Sequence, residues 1–152
     1  STAIAKKLNL PLVQEYAREY LQNLDKNYNY TDLIKIAKGQ LKREIDAISN
    51  LKKQEAIICD TSLKVIKIWS QFKFLKCDPF IIKNEDHNAH YILCKPDFEW
   101  EYDPLRENQH DRMELFRIYY QDLIKKNIKF IIASGSHIER MLFVTSEIKK
   151  II

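Results

Sequence analysis

The sequence predicts an α/β fold, a parallel sheet with helices on its faces. Three observations carry that expectation. Short apolar runs recur without alternation: Leu12-Val13, Ala56-Ile57-Ile58-Cys59, Tyr91-Ile92-Leu93-Cys94 and Phe130-Ile131-Ile132-Ala133. Such runs suit strands buried on both faces. Each run is followed by a helical pattern, and strands alternating with helices argue for right-handed crossovers within one sheet. Finally, two of the strand candidates, Leu12–Glu15 and Ala56–Asp60, end in an acid. In open α/β sheets, ligands sit beyond the carboxyl ends of the strands.

Taken in order, residues 1–10 read as most of a helix, with Ile4 and Leu8 on one face and neither a cap nor a strand before them. That pattern leads us to expect further chain upstream. After the first strand, Tyr16 to Leu24 is helical and Asp25 to Tyr30 is a polar loop. Thr31 is a suitable N-cap for a long helix over Asp32 to Lys52, with an apolar stripe of Ile34, Ala37, Leu41, Ile45 and Ile48. The Asp60 strand leads into a helix over Leu63 to Phe74 carrying Val65, Ile66, Trp69 and Phe72. Asp78-Pro79 opens a short helix ending near Asn84, with the acid as cap and proline at the first position. A polar segment, Asp97 to Asp111, separates the Tyr91 strand from a helix over Met113 to Lys126 with Phe116, Tyr119 and Leu123 on one face. Ser136-His137-Ile138-Glu139 is a capping box for a last helix reaching about Lys150. With no repeat and no linker, residues 1–152 read as a single domain.

Composition bounds the function. The 152 residues suffice for a real core, and 45% hydrophobic with 30% charged residues describes a globular chain. The net charge of +4 comes from 25 basic and 21 acidic residues, with no dense basic block, so a nucleic-acid partner is not expected. No apolar run approaches the roughly 20 residues of a membrane span. Cys59, Cys77 and Cys94 are odd in number and far apart, which suits reduced thiols in the cytoplasm. Gly39 and Gly135 are the only glycines, so the sequence holds no glycine-rich loop. Nothing in it fixes an oligomeric state.

Four groups have chemical potential. Asp60 can hold a Mg²⁺ that carries nucleotide phosphates, or simply cap the next helix. Glu15 can orient an acceptor hydroxyl, or serve as a favourable charge in a helical first turn. Arg106 and Arg112 suit a transferring phosphoryl group, or pair with Glu107 and Asp111. Trp100, in a polar segment, either stacks on a substrate or docks into the core. The four histidines show no ligand spacing.

These residues lie within longer stretches that resemble a known family. Leu12-Val13-Gln14-Glu15-Tyr16-Ala17-Arg18-Glu19-Tyr20-Leu21 is similar to the segment after the P-loop helix in small AAA-type kinases, among them the nicotinamide riboside kinase domain of bacterial NAD-biosynthesis proteins. Ile36-Ala37-Lys38-Gly39-Gln40, Ile58-Cys59-Asp60-Thr61 and the segment 97–108 resemble further signatures of that family, in the same order. The resemblance covers nearly the whole chain. It implies a P-loop fold, ATP and Mg²⁺ as cofactors, a small-molecule nucleoside as partner, and phosphorylation of a ribosyl hydroxyl. It assigns Asp60 to the acid ending the Walker-B-type strand, Glu15 and Arg18 to the substrate side, and Asp103, Arg106 and Arg112 to a lid over about 97–112. Ser1-Thr2 looks like the hydroxyl pair that follows Gly-Lys in a P-loop, which makes Ser1 a metal ligand beside Asp60. The phosphate loop, its lysine and the strand before them are absent from the sequence and are expected upstream of Ser1. Glu99 departs from the proline often found before the tryptophan. Two further readings stay open: a kinase or ATPase of this fold with another substrate, and a module that binds nucleotide without turnover.

Overall fold

Among the described residues, four short strands pair two by two, each pair parallel, and helices connect them. The computed structural model describes residues 1–51, 56–100 and 108–152. These fall into two units, Ser1–Asp86 and His87–Ile151.

The first unit contains α1 (Thr2–Leu8), β1 (Leu12–Val13), α2 (Tyr16–Gln22), α3 (Tyr30–Ser49), β2 (Ile58–Cys59), α4 (Leu63–Phe74) and α5 (Pro79–Lys83). β1 and β2 are parallel, with Leu12 opposite Ile58 and Val13 opposite Cys59. β2 is shorter than the apolar run that announces it, and both strands stop before the acids included in the strand candidates. The core gathers Ala17 of α2, Leu33, Ile36 and Ala37 of α3, Leu63 and Ile66 of α4, and Ile81 of α5. As expected, Asp78 caps α5 with Pro79 at its start, accepting a hydrogen bond from the Phe80 N–H at 2.8 Å.

Two expectations for α3 are corrected. Asn29, not Thr31, is the N-cap: its side chain accepts from the Thr31 N–H, and the Asp32 carboxylate accepts from the Asn29 N–H at 2.9 Å. The capping box therefore starts the helix two residues early. The buried face is Leu33, Ile36, Ala37 and Gln40, while Ile45 and Ile48 of the expected stripe are each 55% exposed. A polar residue, Gln40, occupies a core position because its amide is fully engaged, as described below.

Asp32 is itself buried, and its carboxyl is held below the usual range by the Asn29 backbone hydrogen bond and then by the Tyr20 hydroxyl, which donates at 2.8 Å. A depressed folded-state value contributes stability above the unfolded value of about 4, lost as pH falls through the lower folded value. The melting temperature of Asp32→Asn should therefore fall less than the parent's between pH 5 and pH 3. Equal slopes would remove Asp32 from the acid transition.

Gly39 is where Tyr16 reaches α3. A Cβ there would lie 2.2, 2.4 and 2.5 Å from three Tyr16 ring atoms. Replacing a helical glycine with alanine ordinarily stabilises by about 1 kcal/mol. Here we expect Gly39→Ala to lower the melting temperature, because the ring is displaced. A raised melting temperature would refute this packing.

α4 is buried on more than one side. Beyond its apolar residues, Lys64 and Lys67 are buried and both meet the buried Glu85 carboxylate, Lys67 Nζ at 3.0 Å. Periodicity gives no hint of this cluster.

The second unit contains β3 (Tyr91–Cys94), α6 (Arg112–Lys125), β4 (Phe130–Ala133) and α7 (His137–Ile148). β3 and β4 pair in parallel from Tyr91 opposite Phe130 to Cys94 opposite Ala133. Leu123, Ile128, Ala133, Val144 and Ile148 are buried in this unit. The predicted capping box is present: Ser136 Oγ accepts from the Glu139 N–H, and the Glu139 carboxylate accepts from the Ser136 N–H. Among the described residues, no helix is long and apolar enough to cross a membrane.

Candidate active site

Parallel pairing brings Glu15 and Asp60 to neighbouring strand ends. The Asp60 N–H donates to the Val13 carbonyl at 2.9 Å, extending the ladder one residue past β2. The chain then turns into α4, whose N-cap is Ser62, so Asp60 does not cap it. The Asp60 side chain is exposed and takes no hydrogen bond or ion pair among the described residues. Glu15 is the N-cap residue of α2 but makes no side-chain cap bond. Its Oε2 lies 3.9 Å from Arg18 Nε, one turn along.

Ser1 and Thr2 open α1, where the Ser1 carbonyl accepts from the Ala5 N–H at 3.0 Å. No described contact joins them to Asp60.

Asp60 suits Mg²⁺. The donor is a hard carboxylate at the surface, uncommitted among the described residues, and Mg²⁺ is commonly held by one or two carboxylates together with substrate phosphates and water. No group of three His, Cys, Asp or Glu among the described residues could form a cage, and such a site needs none. The adjacent Cys59 is exposed, yet desolvation around its sulfur, then the Glu44 and Asp86 carboxylates, push the thiol up to about 12. It is not a thiolate nucleophile.

In the second unit, Arg112 donates from Nη1 to the Phe98 carbonyl at 2.9 Å, and its guanidinium lies 5.7 Å from the ring centres of both Phe98 and Trp100. Trp100 thus has a cationic neighbour on its face. Asp103 and Arg106 lie outside the described residues.

Sequence reasoning missed Arg140. Its guanidinium donates to the carbonyls of Gly135 at 2.7 Å, Ala133 at 3.1 Å and Lys95 at 2.8 Å, and pairs with Asp97. The Gly135 N–H also donates to Asp97 at 3.0 Å, holding that carboxyl below the usual range. One side chain therefore ties the carboxyl ends of β3 and β4 to the segment leading to Trp100. A signal existed: a cation near the start of a helix opposes the macrodipole unless something specific holds it.

Gln40 lies in a stretch singled out by its resemblance, but no role for it could be read from the sequence. Its Oε1 accepts from the Tyr16 N–H at 3.0 Å, while its Nε2 donates to the Thr61 carbonyl at 3.3 Å and to Glu44 Oε1 at 3.0 Å.

Parallel strand pairs joined by helices, with acids at two strand ends, define an α/β fold of the parallel class. The chain matches the family described as AAA domain over residues 1–140, and it belongs to that family. Its fold is similar to a crystal structure of "NadR protein in complex with NR", with a TM-score of 0.79 and 20% identity, covering 98% of this chain and 46% of that one. A second, of "NadR protein in complex with NAD and AMP-PNP", gives 0.75 and 18%, covering 98% and 44%. The chain thus spans less than half the length of these proteins. No curated protein matches it.

Proposed function

We propose that this chain is the body of an ATP-dependent kinase that phosphorylates a ribosyl hydroxyl, with nicotinamide riboside the first acceptor to try. The observation that carries this reading is the register of β1 and β2 within an AAA-domain fold. It sets one carboxylate suited to a metal and another suited to an acceptor on neighbouring strand ends. The solved NadR proteins of the same fold hold NR in one case and NAD with AMP-PNP in the other, which supports a nucleoside and an ATP-type nucleotide as ligands.

In this reading Glu15 orients the acceptor hydroxyl and takes its proton as the new O–P bond forms. The bond from the γ-phosphorus to the bridging oxygen breaks, and ADP leaves. Arg18 holds Glu15 and faces the substrate side. Asp60, with the Ser1 hydroxyl, would hold Mg²⁺, which when bound neutralises charge on the phosphate oxygens. Thr2 follows at the nucleotide side. Trp100 and Asp103 serve acceptor binding, while Arg106 and Arg112 bind nucleotide and oppose transition-state charge. The domain is 1–152, with a lid over about 97–112.

The test is a thermal-shift panel on the full encoded protein, with Mg-ATP and a set of nucleosides, followed by ADP release. A shift with ATP and acceptor-dependent ADP release from nicotinamide riboside is the expected result. Turnover with a different acceptor moves the assignment to another kinase, and binding without turnover makes the protein a nucleotide-sensing module. No response to ATP would overturn the reading.

A further inference from the structure

We propose that Gln40 is a positioning residue, a single buried amide that fixes the Glu15 and Asp60 strand ends against each other. The inference rests on the roles assigned above to those two acids and adds the device that sets their spacing.

Gln40 is fully buried in the middle of α3. A leucine would fill such a place without any polar requirement, so core filling does not explain the amide. Its bonds do. Oε1 accepts from the Tyr16 N–H, which belongs to the peptide joining Glu15 to Tyr16. That N–H stands at the start of α2, where it has no partner within its own helix. Nε2 donates to the carbonyl of Thr61, the residue after Asp60. The amide thus bridges the two chain segments immediately following the two acids.

The orientation of the amide is also determined. Tyr16 N–H can only donate, so it requires the oxygen. Thr61 C=O and the Glu44 carboxylate both require the nitrogen. α3 holds the Tyr16 side chain as well: its ring lies where a Gly39 Cβ would be, with the Arg43 guanidinium 4.7 Å from its centre. Gly39, Gln40 and Arg43 therefore grip the residue next to Glu15 from one helix. The ladder bond from Asp60 N–H to Val13 joins the strands themselves. Gln40 adds a second tie beyond their ends, where the side chains must be aimed.

The experiment measures acceptor-dependent phosphoryl transfer by the full encoded protein. It compares the parent, Gln40→Leu, Gln40→Glu, Glu15→Gln and the double variant Gln40→Leu/Glu15→Gln, each checked for a cooperative melt. Gln40→Leu should lower kcat by about 10-fold, since small misplacements of a catalytic group are felt strongly, with KM for Mg-ATP within about threefold of the parent. Gln40→Glu keeps an acceptor for Tyr16 but loses the donor to both Thr61 and Glu44 and sets two carboxyl groups together, so it should lower kcat at least as far as Gln40→Leu. It carries the comparison, paired with Glu15→Gln, if Gln40→Leu does not fold. The decisive readout is the double variant. Misaiming a base already removed should add little, leaving only what Gln40 contributes through Asp60, so the double variant should fall well short of the product of the two single losses. Additive losses, or a parent-like kcat in the Gln40 variants when Glu15→Gln is impaired, would overturn the positioning role alone. Parent-like transfer by Glu15→Gln would instead overturn the kinase assignment of Glu15, and this proposal with it.

Discussion

On the proposed reading of Asp60 as a Mg²⁺ ligand, Asp60→Asn in the full encoded protein should reduce Mg²⁺-dependent turnover by about 100-fold or more, because a charged ligand beside the phosphates becomes a neutral one. The fold should survive. What holds Asp60 in place is its backbone N–H on Val13, which the substitution leaves intact, and its side chain makes no bond among the described residues for asparagine to lose. The melting temperature without ligand should therefore stay near the parent's, while the Mg²⁺ concentration needed for half-maximal turnover rises. Turnover within a factor of two of the parent would remove Asp60 from the site.

On the proposed role of Glu15 as general base, Glu15→Gln should lower transfer to the acceptor by roughly 100-fold, the size of effect expected when such a base is lost with its shape retained. Glu15 makes no side-chain cap bond to α2 and lies on the acceptor side in the proposed reading, so ATP binding should persist. The ion pair with Arg18 is long and partly exposed, a class of contact that contributes little stability. Measuring at saturating acceptor separates the two possibilities. A loss confined to KM would mean that Glu15 binds the acceptor without taking its proton.

The fold was readable because its signals are local. Unbroken apolar runs at Tyr91–Cys94 and Phe130–Ala133 became strands of those bounds, and the cap residues at Asp78 and Ser136 work as their chemistry dictates. Glu15 and Asp60 were legible as acids ending apolar runs, and their adjacency follows once the strands are parallel. What could not be read depends on partners distant in sequence. Gln40 lies off the expected stripe of α3, and its role shows only when Tyr16 and Thr61 are seen beside it, while Lys64 and Lys67 look like solvent-facing charges on a helix until Glu85 is placed. In α3, Ile45 and Ile48 follow the right period but lie beyond the reach of the core that Ile36 and Ala37 enter. Periodicity shows that a helix has a face without saying how far along it the neighbours extend.

The Lys64–Glu85–Lys67 cluster has a consequence for how this sequence can drift over generations. Loss of one member of a buried ion cluster typically destabilises by about 3–5 kcal/mol, whereas apolar replacement of a whole cluster is often neutral or better. Substitutions at these three positions are therefore conditional on one another. A leucine at 85 is harmful while Lys64 and Lys67 remain and tolerable once both are apolar, yet no order of single steps avoids the unstable intermediate. Homologues should fall into two groups at these positions, fully ionic or fully apolar, with few mixed cases between them.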